Sequence, residues 1–203
     1  MQELKQAVEY LNSINITACQ EHSDGRVNSI KDEATIIKAL QDKFGEDNII
    51  APKDREWFDV RIFGHPVQIK ASAYSKGASD NFSSKAAILY ALTTLEESEV
   101  AVRGWHDFEH ALLKHSGDNN RDYYIISMNK DTGAFHLTSL KRLNKLTSNG
   151  NNLPFQIKWR DNIQPVERNH DDAYRFIVGA YKDSVRKKIS VHQLVDVLWC
   201  VES

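Results

Sequence analysis

Residues 57–72 read WFDVRIFGHPVQIKAS, and this stretch decides the fold that we predict for the chain. Two runs of alternating apolar and polar residues flank positions 64–65, a pattern that predicts a β-hairpin with a two-residue loop. That loop sets Asp59 directly opposite Lys70. Because side chains alternate between the faces of a strand, Gln68 then lies on the same face as both. The hairpin therefore predicts a cluster of three polar groups.

Helical and strand patterns surround the hairpin on both sides. Predicted helices cover 3–13, 28–44, 85–97, 104–115 and 171–188, and further strands cover 48–51, 123–128, 134–140 and 155–159. The second helix is predicted to begin at a cap formed by Asn28 or Ser29, and the last at Asp171 or Asp172. Helices that precede, interrupt and follow the strands indicate an α/β fold, with a mixed central β-sheet flanked by helices on both faces. No linker or repeat interrupts the 203 residues, which predicts a single domain over 1–203.

The helix upstream of the hairpin carries a carboxylate on its predicted apolar stripe. That stripe reads Ile30, Ala34, Ile37, Leu40 and Phe44, and Glu33 falls on it. One reading places Glu33 at the edge of the stripe, where its side chain reaches water. The other delivers Glu33 to the hairpin cluster, where a cation would compensate charges that are costly to bury.

The predicted cluster has the donors of a magnesium site. Two carboxylates and an amide carbonyl are hard oxygen ligands, which favour Mg²⁺ over zinc. Such an ion can bind a phosphodiester oxygen and acidify a water. Lys70 is then placed either to orient the attacking water or to stabilise the charge that develops on phosphorus. A simpler reading of the same face is one solvated ion pair between Asp59 and Lys70.

These residues resemble the PD-(D/E)xK nuclease superfamily and, within it, the type II restriction endonucleases. The matching elements are Glu33 in SIKDEATIIKAL, Asp59 in WFDVRIF, and the triplet 68–70 in PVQIKAS. Phe58 replaces the usual proline before the aspartate. Gln68 replaces the second acidic residue, a variant that the family tolerates and that puts the number of bound metal ions in question.

The resemblance implies a restriction-endonuclease-like fold and Mg²⁺-dependent cleavage of double-stranded DNA that leaves a 5′-phosphate and a 3′-hydroxyl. Asp59, Gln68 and Glu33 would bind metal, and Lys70 would position the nucleophile. The catalytic core would cover about residues 28–100, and DNA-recognition elements about 120–165. Two-fold symmetric DNA targets would favour a homodimer.

Two segments carry residue types that suit DNA contacts. Ser83, Ser84 and Lys85 open a predicted helix, where free N–H groups attract phosphate, although simple N-capping explains them equally well. The segment 147–162 concentrates amide and basic side chains that can bond base edges. Its candidate contacts are Asn149, Asn151, Asn152, Gln156, Lys158 and Arg160. Asn and Gly are also ordinary loop residues.

Composition limits the alternatives. The 26 Lys and Arg against 28 Asp and Glu give a formal charge of −2, which weighs against nonspecific binding to polyanions. No apolar run is long enough to span a membrane, and the start lacks the layout of a signal peptide, so we expect a cytoplasmic protein. Cys19 and Cys200 are expected to be reduced thiols, since they fit neither a disulfide framework nor a zinc knuckle.

Two other functions compete with the nuclease. His106, Glu109 and His110 match the H-x-x-E-H pattern of inverted zinc peptidases, with Glu167 or Asp171 as possible third ligands. Packing of the same segment through Trp105 and Phe108 explains it without a metal. A non-catalytic DNA-binding module with a nuclease-like fold is the third candidate, because Gln68 removes one acidic residue from the motif.

Overall fold

The computed structural model describes residues 1–18, 25–52, 56–75, 79–149 and 154–199, apart from the side chains of 25–27 and 190–199. Its helices are α1 (Gln2–Ser13), α2 (Gly25–Phe44), α3 (Lys85–Leu92), α4 (Trp105–Lys114) and α5 (His170–Trp199). Its strands are β1 (Ile49–Ile50), β2 (Val60–Ile62), β3 (His65–Ser72), β4 (Ser79–Phe82), β5 (Tyr124–Asn129), β6 (Phe135–Ser139), β7 (Thr147–Ser148) and β8 (Phe155–Lys158).

The central sheet has five strands in the order β1-β2-β3-β5-β6. Strand β3 pairs antiparallel with β2 and parallel with β5, and β5 pairs antiparallel with β6. Helices α1 and α2 bury Leu4, Leu11, Ile36 and Leu40 against one face of this sheet. Helices α3, α4 and α5 form the core on the other face, together with Tyr123 and Ile125. The predicted mixed sheet with helices on both faces is therefore confirmed.

A second sheet of three strands, in the order β4-β8-β7, packs against the α3 side of the molecule. Its buried side chains are Phe82, Phe155 and Ile157, which join the core that contains α3. The sequence predicted β8 but neither β4 nor β7. Both lie in polar segments with too few apolar residues to produce a strand pattern.

The hairpin has a different register from the predicted one. Ile62 pairs with His65, so the loop is formed by Phe63 and Gly64 and not by positions 64–65. Both loop residues have positive φ, 48° and 81°, as a type I′ turn requires. The shift by two positions keeps Gln68 and Lys70 on one face of β3 but removes the predicted pairing of Asp59 with Lys70.

The buried face of helix α2 includes Ile37 and Leu40 of the predicted stripe but not Ile30 or Ala34. Ile30 is 68% exposed, whereas Ile36 is fully buried and Asp32 is only 3% exposed. Asp32 is buried because Lys130 Nζ, from the turn between β5 and β6, lies 2.7 Å from its carboxylate. A distant lysine thus allows a charged residue to occupy the buried face, which the apolar pattern alone does not reveal. Glu33 lies beside this face and is half-buried.

Three predicted helix boundaries are wrong. Helix α2 begins at Gly25, and Asn28, its predicted cap, is buried within the helix. Helix α3 ends at Leu92 because Thr93 takes an extended conformation and pairs with Ser116. In α5 the backbone amide of Asp172 donates to Asn169 Oδ1, at 2.8 Å, so Asn169 is the capping side chain.

Within the part of the chain that the structure describes, no helix combines the length and apolar character needed to cross a membrane. Cys19 and Cys200 lie outside the described residues, so the expectation of reduced thiols stays a prediction.

Candidate active site

The candidate site lies where β2 begins at Val60 while its partner β3 continues to Ser72. The chain bends at Asp59, just before β2, and the backbone amide of Asp59 donates to the carbonyl of Val67 at 3.0 Å. Its carboxylate oxygen Oδ2 accepts a hydrogen bond of 2.7 Å from the backbone amide of Ile69. This bond fixes the Asp59 carboxylate against β3, next to the strand positions that carry Gln68 and Lys70.

Glu33 enters the same region from α2. Burial and the negative charge of Asp59 raise the pKa of Glu33 from 4.5 to about 7, against the lowering effect of the positive charge of Lys70. Burial also raises the pKa of Asp59, against the lowering effects of the Ile69 amide and of Lys70. The structure thus brings Glu33, Asp59 and Lys70 into one electrostatic cluster.

Gln68 lies two residues before Lys70 and therefore on the same face of β3. Its side-chain oxygen Oε1 is buried and has no hydrogen-bond partner among the described residues. A buried carbonyl oxygen without a donor costs free energy, about 1–3 kcal/mol, unless another group satisfies it. Gln68 Oε1 is therefore available as a ligand for a cation.

Two cavities meet at Glu33. One of about 460 Å³ extends between α2 and the segment before β2, where Glu56 and Asp59 line it. The other, of about 100 Å³, is lined by Ser29, Glu33, Ile69, Lys70, Ala71 and Asp80. The cluster is thus reachable from solvent on the side of the larger cavity, and a phosphate group has room beside Asp59.

Sequence reasoning missed two residues at this cluster. Asp80 of β4 lines the smaller cavity, and its Oδ2 accepts hydrogen bonds from Ser72 Oγ, at 3.2 Å, and from Trp159 Nε1. Tyr123 is fully buried, and burial together with the charges of Asp59 and Glu33 raises the pKa of its phenol. Neither residue stands in a pattern that marks it, because both reach the cluster only through tertiary packing.

The residues predicted to open α3 have structural partners. Ser84 caps the helix by accepting a hydrogen bond of 3.2 Å from the Ala87 amide. Lys85 places its ammonium 4.8 Å from the centre of the Trp105 ring, a cation–π contact. Ser83 is exposed. The capping explanation accounts for Ser84, and a role of these residues in DNA binding stays a prediction.

The predicted DNA contacts of the segment 147–162 separate into three groups. Gln156 and Lys158 lie on the outward face of β8, and Arg160 is exposed. Asn149 is only 8% exposed and donates to Asn81 Oδ1 at 2.9 Å, so a structural role replaces the DNA contact predicted for it. Asn151 and Asn152 lie outside the described residues.

The zinc-peptidase motif lies on α4. His106 is 94% exposed in its side chain, and the hydroxyl of Tyr181 donates to the carboxylate of Glu109. His110 is exposed as well. The described residues contain no group of three His, Cys, Asp or Glu side chains placed to hold a metal ion. The third zinc ligand that this alternative needs is therefore absent from the described part of the chain.

No protein-family model and no curated protein matches the chain. Among solved structures, it is similar to a restriction endonuclease in complex with substrate DNA, at 18% identity and a TM-score of 0.30. The match covers 63% of this chain and 52% of that chain, so this chain spans about half the length of the structure it matches.

Proposed function

We propose that the protein is a metal-dependent endonuclease that hydrolyses phosphodiester bonds of duplex DNA at specific sequences, in the manner of a type II restriction endonuclease. One observation carries the proposal: Glu33 and Asp59, on separate elements, line one cavity, where burial and, to a smaller extent, the charge of Asp59 raise the pKa of Glu33 to about 7. Coupled carboxyl groups beside a lysine and a cavity are typical of catalytic sites. The sequence resemblance, through Glu33, Asp59, Gln68 and Lys70, supports the same conclusion.

The donor set fits Mg²⁺. Asp59 and Glu33 supply carboxylate oxygens, and Gln68 supplies the unpartnered oxygen Oε1. Oxygen donors of this kind suit an ion that keeps several waters, whereas a structural zinc ion prefers nitrogen and sulfur ligands. Asp59, Gln68 and Glu33 are the residues that would hold it. When bound, the ion would lower the pKa of a water and offset phosphate charge.

The residues of the chain have complementary tasks in this reaction. A water attacks phosphorus in line and one P–O bond forms, while the P–O3′ bond breaks and O3′ takes a proton from solvent, which gives a 5′-phosphate and a 3′-hydroxyl. Lys70 either orients this water or stabilises the negative charge that develops on the phosphate oxygens. Glu33, from α2, would hold the waters of the ion or a second ion. Asp59 is held in place by the Ile69 amide throughout.

The proposed function also implies an oligomeric state and a cellular location for the enzyme. Duplex targets with two-fold symmetry would be matched by a homodimer, and a sequence-specific nuclease of this kind would operate in the cytoplasm as part of a restriction-modification pair.

The decisive experiment compares the wild-type protein with a Lys70→Ala variant on plasmid DNA in the presence of Mg²⁺. We expect discrete fragments from the wild type, none from the variant, and no cleavage when the metal is chelated. An exposed lysine on α5, Lys182, provides the control: Lys182→Ala should cleave as the wild type does.

Other outcomes would contradict the proposal. DNA that is retained but uncut with every divalent cation would show a binding module without catalysis. Hydrolysis of a protein substrate, lost on zinc chelation and in a His106→Ala variant, would show the peptidase.

A further inference from the structure

The three-stranded sheet has one face in the core and one face toward solvent. Its inward side chains are Phe82, Phe155 and Ile157 of the core together with Asp80 and Ser148, whereas the outward ones are all polar. The outward residues are Ser79, Asn81, Thr147, Gln156 and Lys158, which we call the amide row. This row contains no carboxylate, although the chain as a whole carries a formal charge of −2. The local charge of the row is positive through Lys158.

The strand register brings the two amides of the row together. Asn81 of β4 and Thr147 of β7 both pair with Gln156 of β8, one on each side. Directly opposite residues of antiparallel strands have Cβ atoms about 4.5–5.5 Å apart, so the three side chains form one line across the sheet. Ser79 and Lys158 form the adjacent pair.

The amide of Asn81 is held in one orientation. Its oxygen Oδ1 accepts a hydrogen bond of 2.9 Å from Nδ2 of Asn149, and the backbone amide of Asn149 donates in turn to Ser184 Oγ on α5, also at 2.9 Å. Asn81 is nevertheless exposed, and its Nδ2 makes no hydrogen bond within the described residues. The chain therefore presents an oriented donor to solvent. The hydrogen bond from the buried Asn149 keeps the Asn81 amide in this orientation.

The amide row and the candidate active site share strand β4. Asp80 lies between two members of the row along β4, points to the opposite side, and lines the cavity that also contains Glu33 and Lys70. Consecutive strand residues are separated by about 3.3 Å and point to opposite faces, so the row and the cavity occupy opposite faces of β4 at neighbouring positions. The hydroxyl of Ser72, at the end of β3, donates a hydrogen bond to Asp80 and so links β4 to the strand that carries Lys70.

We infer that the amide row reads base edges of duplex DNA, with Asn81 and Gln156 as specificity-determining residues and Lys158 as a phosphate contact. The inference rests on the proposed nuclease function. Asn and Gln side chains bond base edges, and the major groove is wide enough for a two-stranded β-ribbon. Asn81 lies outside the segment 120–165 where the sequence predicted recognition elements.

The test uses Asn81→Asp and Gln156→Glu. Each keeps the shape of the side chain and replaces the NH₂ donor with a charged oxygen, and Asp at position 81 still accepts the bond from Asn149. Gln164→Glu adds the same charge at an exposed position outside the row. The wild-type protein is used to enrich preferred sequences from duplex oligonucleotides of randomised sequence, with EDTA present to prevent cleavage, and affinities are then measured by fluorescence anisotropy.

We expect Asn81→Asp and Gln156→Glu to weaken binding of the enriched sequence about 5- to 100-fold and to lose preference at particular base pairs. Gln164→Glu should bind as the wild type does. Lys158→Ala should weaken binding equally for all sequences and reduce the slope of log K against log salt by about one, which Lys182→Ala should not do.

The outcomes separate this inference from the proposed function. A wild-type protein that neither binds nor cleaves DNA would overturn both. Two outcomes would overturn the role of the amide row alone. In one, the wild-type protein cleaves DNA with Mg²⁺, but the two row variants bind the enriched sequence as well as Gln164→Glu does. In the other, the wild-type protein cleaves DNA but enriches no sequence. Thermal unfolding of each variant shows whether a loss of binding comes from a loss of fold.

Discussion

The carboxylate of Asp59 accepts a hydrogen bond from the backbone amide of Ile69, at 2.7 Å, across the two strands of the hairpin. This contact gives Asp59 a structural task besides its proposed role as a metal ligand. The two tasks respond differently to substitution. An asparagine can still accept the amide bond through its carbonyl oxygen, whereas an alanine cannot.

We therefore expect Asp59→Asn to abolish Mg²⁺-dependent DNA cleavage while changing the free energy of unfolding by about 1 kcal/mol or less. Asp59→Ala should remove cleavage and also cost about 1–3 kcal/mol, because the Ile69 amide loses its acceptor. Plasmid cleavage and urea unfolding of the two variants check this. Full activity in Asp59→Asn would exclude the proposed metal ligand.

The raised pKa of Glu33 makes stability depend on pH. The ordinary pKa of this side chain is 4.5, and its pKa in the folded protein is about 7. At a pH between these two values, the folded protein holds a proton on Glu33 that the unfolded chain has already released. The contribution of this group is complete below pH 4.5 and is lost as the pH rises through about 7. A Glu33→Gln variant lacks this loss, so its stability relative to wild type should increase with pH across that window. Urea unfolding in the absence of metal at both ends of the window measures the difference, and a constant difference would contradict the assignment.

Gln68→Glu introduces an acidic residue at the strand position where the nucleases that the sequence resembles carry one. Because a carboxylate binds Mg²⁺ more strongly than an amide carbonyl does, we expect half-maximal cleavage at a lower Mg²⁺ concentration. In the absence of metal, the added charge near Asp59 should lower stability by about 0.2–1 kcal/mol. A Mg²⁺ titration of cleavage, with Gln164→Glu as the charge-matched control, checks the prediction. An unchanged Mg²⁺ requirement would show that position 68 does not contact the ion.

The turn of the hairpin gives a prediction that is independent of function. Gly64 has φ of 81° and open space around its Cα, so Gly64→Ala should lower the free energy of unfolding by about 1–2 kcal/mol through backbone strain alone. Gly179 lies within α5, also with open space, and there Gly→Ala should stabilise by about 0.5–1 kcal/mol. Thermal or urea unfolding measures both, and effects of the same sign would contradict this account.

Part of the site could be predicted from local pattern. Asp59, Gln68 and Lys70 lie within twelve consecutive residues of one hairpin, and side-chain alternation alone predicts the shared face of Gln68 and Lys70. The register was wrong by two positions because the sequence allowed two adjacent loops. Phe63 was not expected in a conformation with positive φ, which non-glycine residues rarely adopt. Asp80 and Tyr123 could not be predicted, since their place at the cluster depends on how β4 and β5 pack.

The sequence by itself determined the class of fold and the residue types of the proposed hard-oxygen site. These follow from periodicity, which reports which face of each element is apolar. The tertiary structure alone decided that Asp32 and not Ile30 is buried on α2, that Asn149 supports Asn81, and that β4 carries a polar row beside the cluster. The physical reason is that a buried polar group is stable only beside a specific partner, and that partner is brought near by folding from a distant part of the chain.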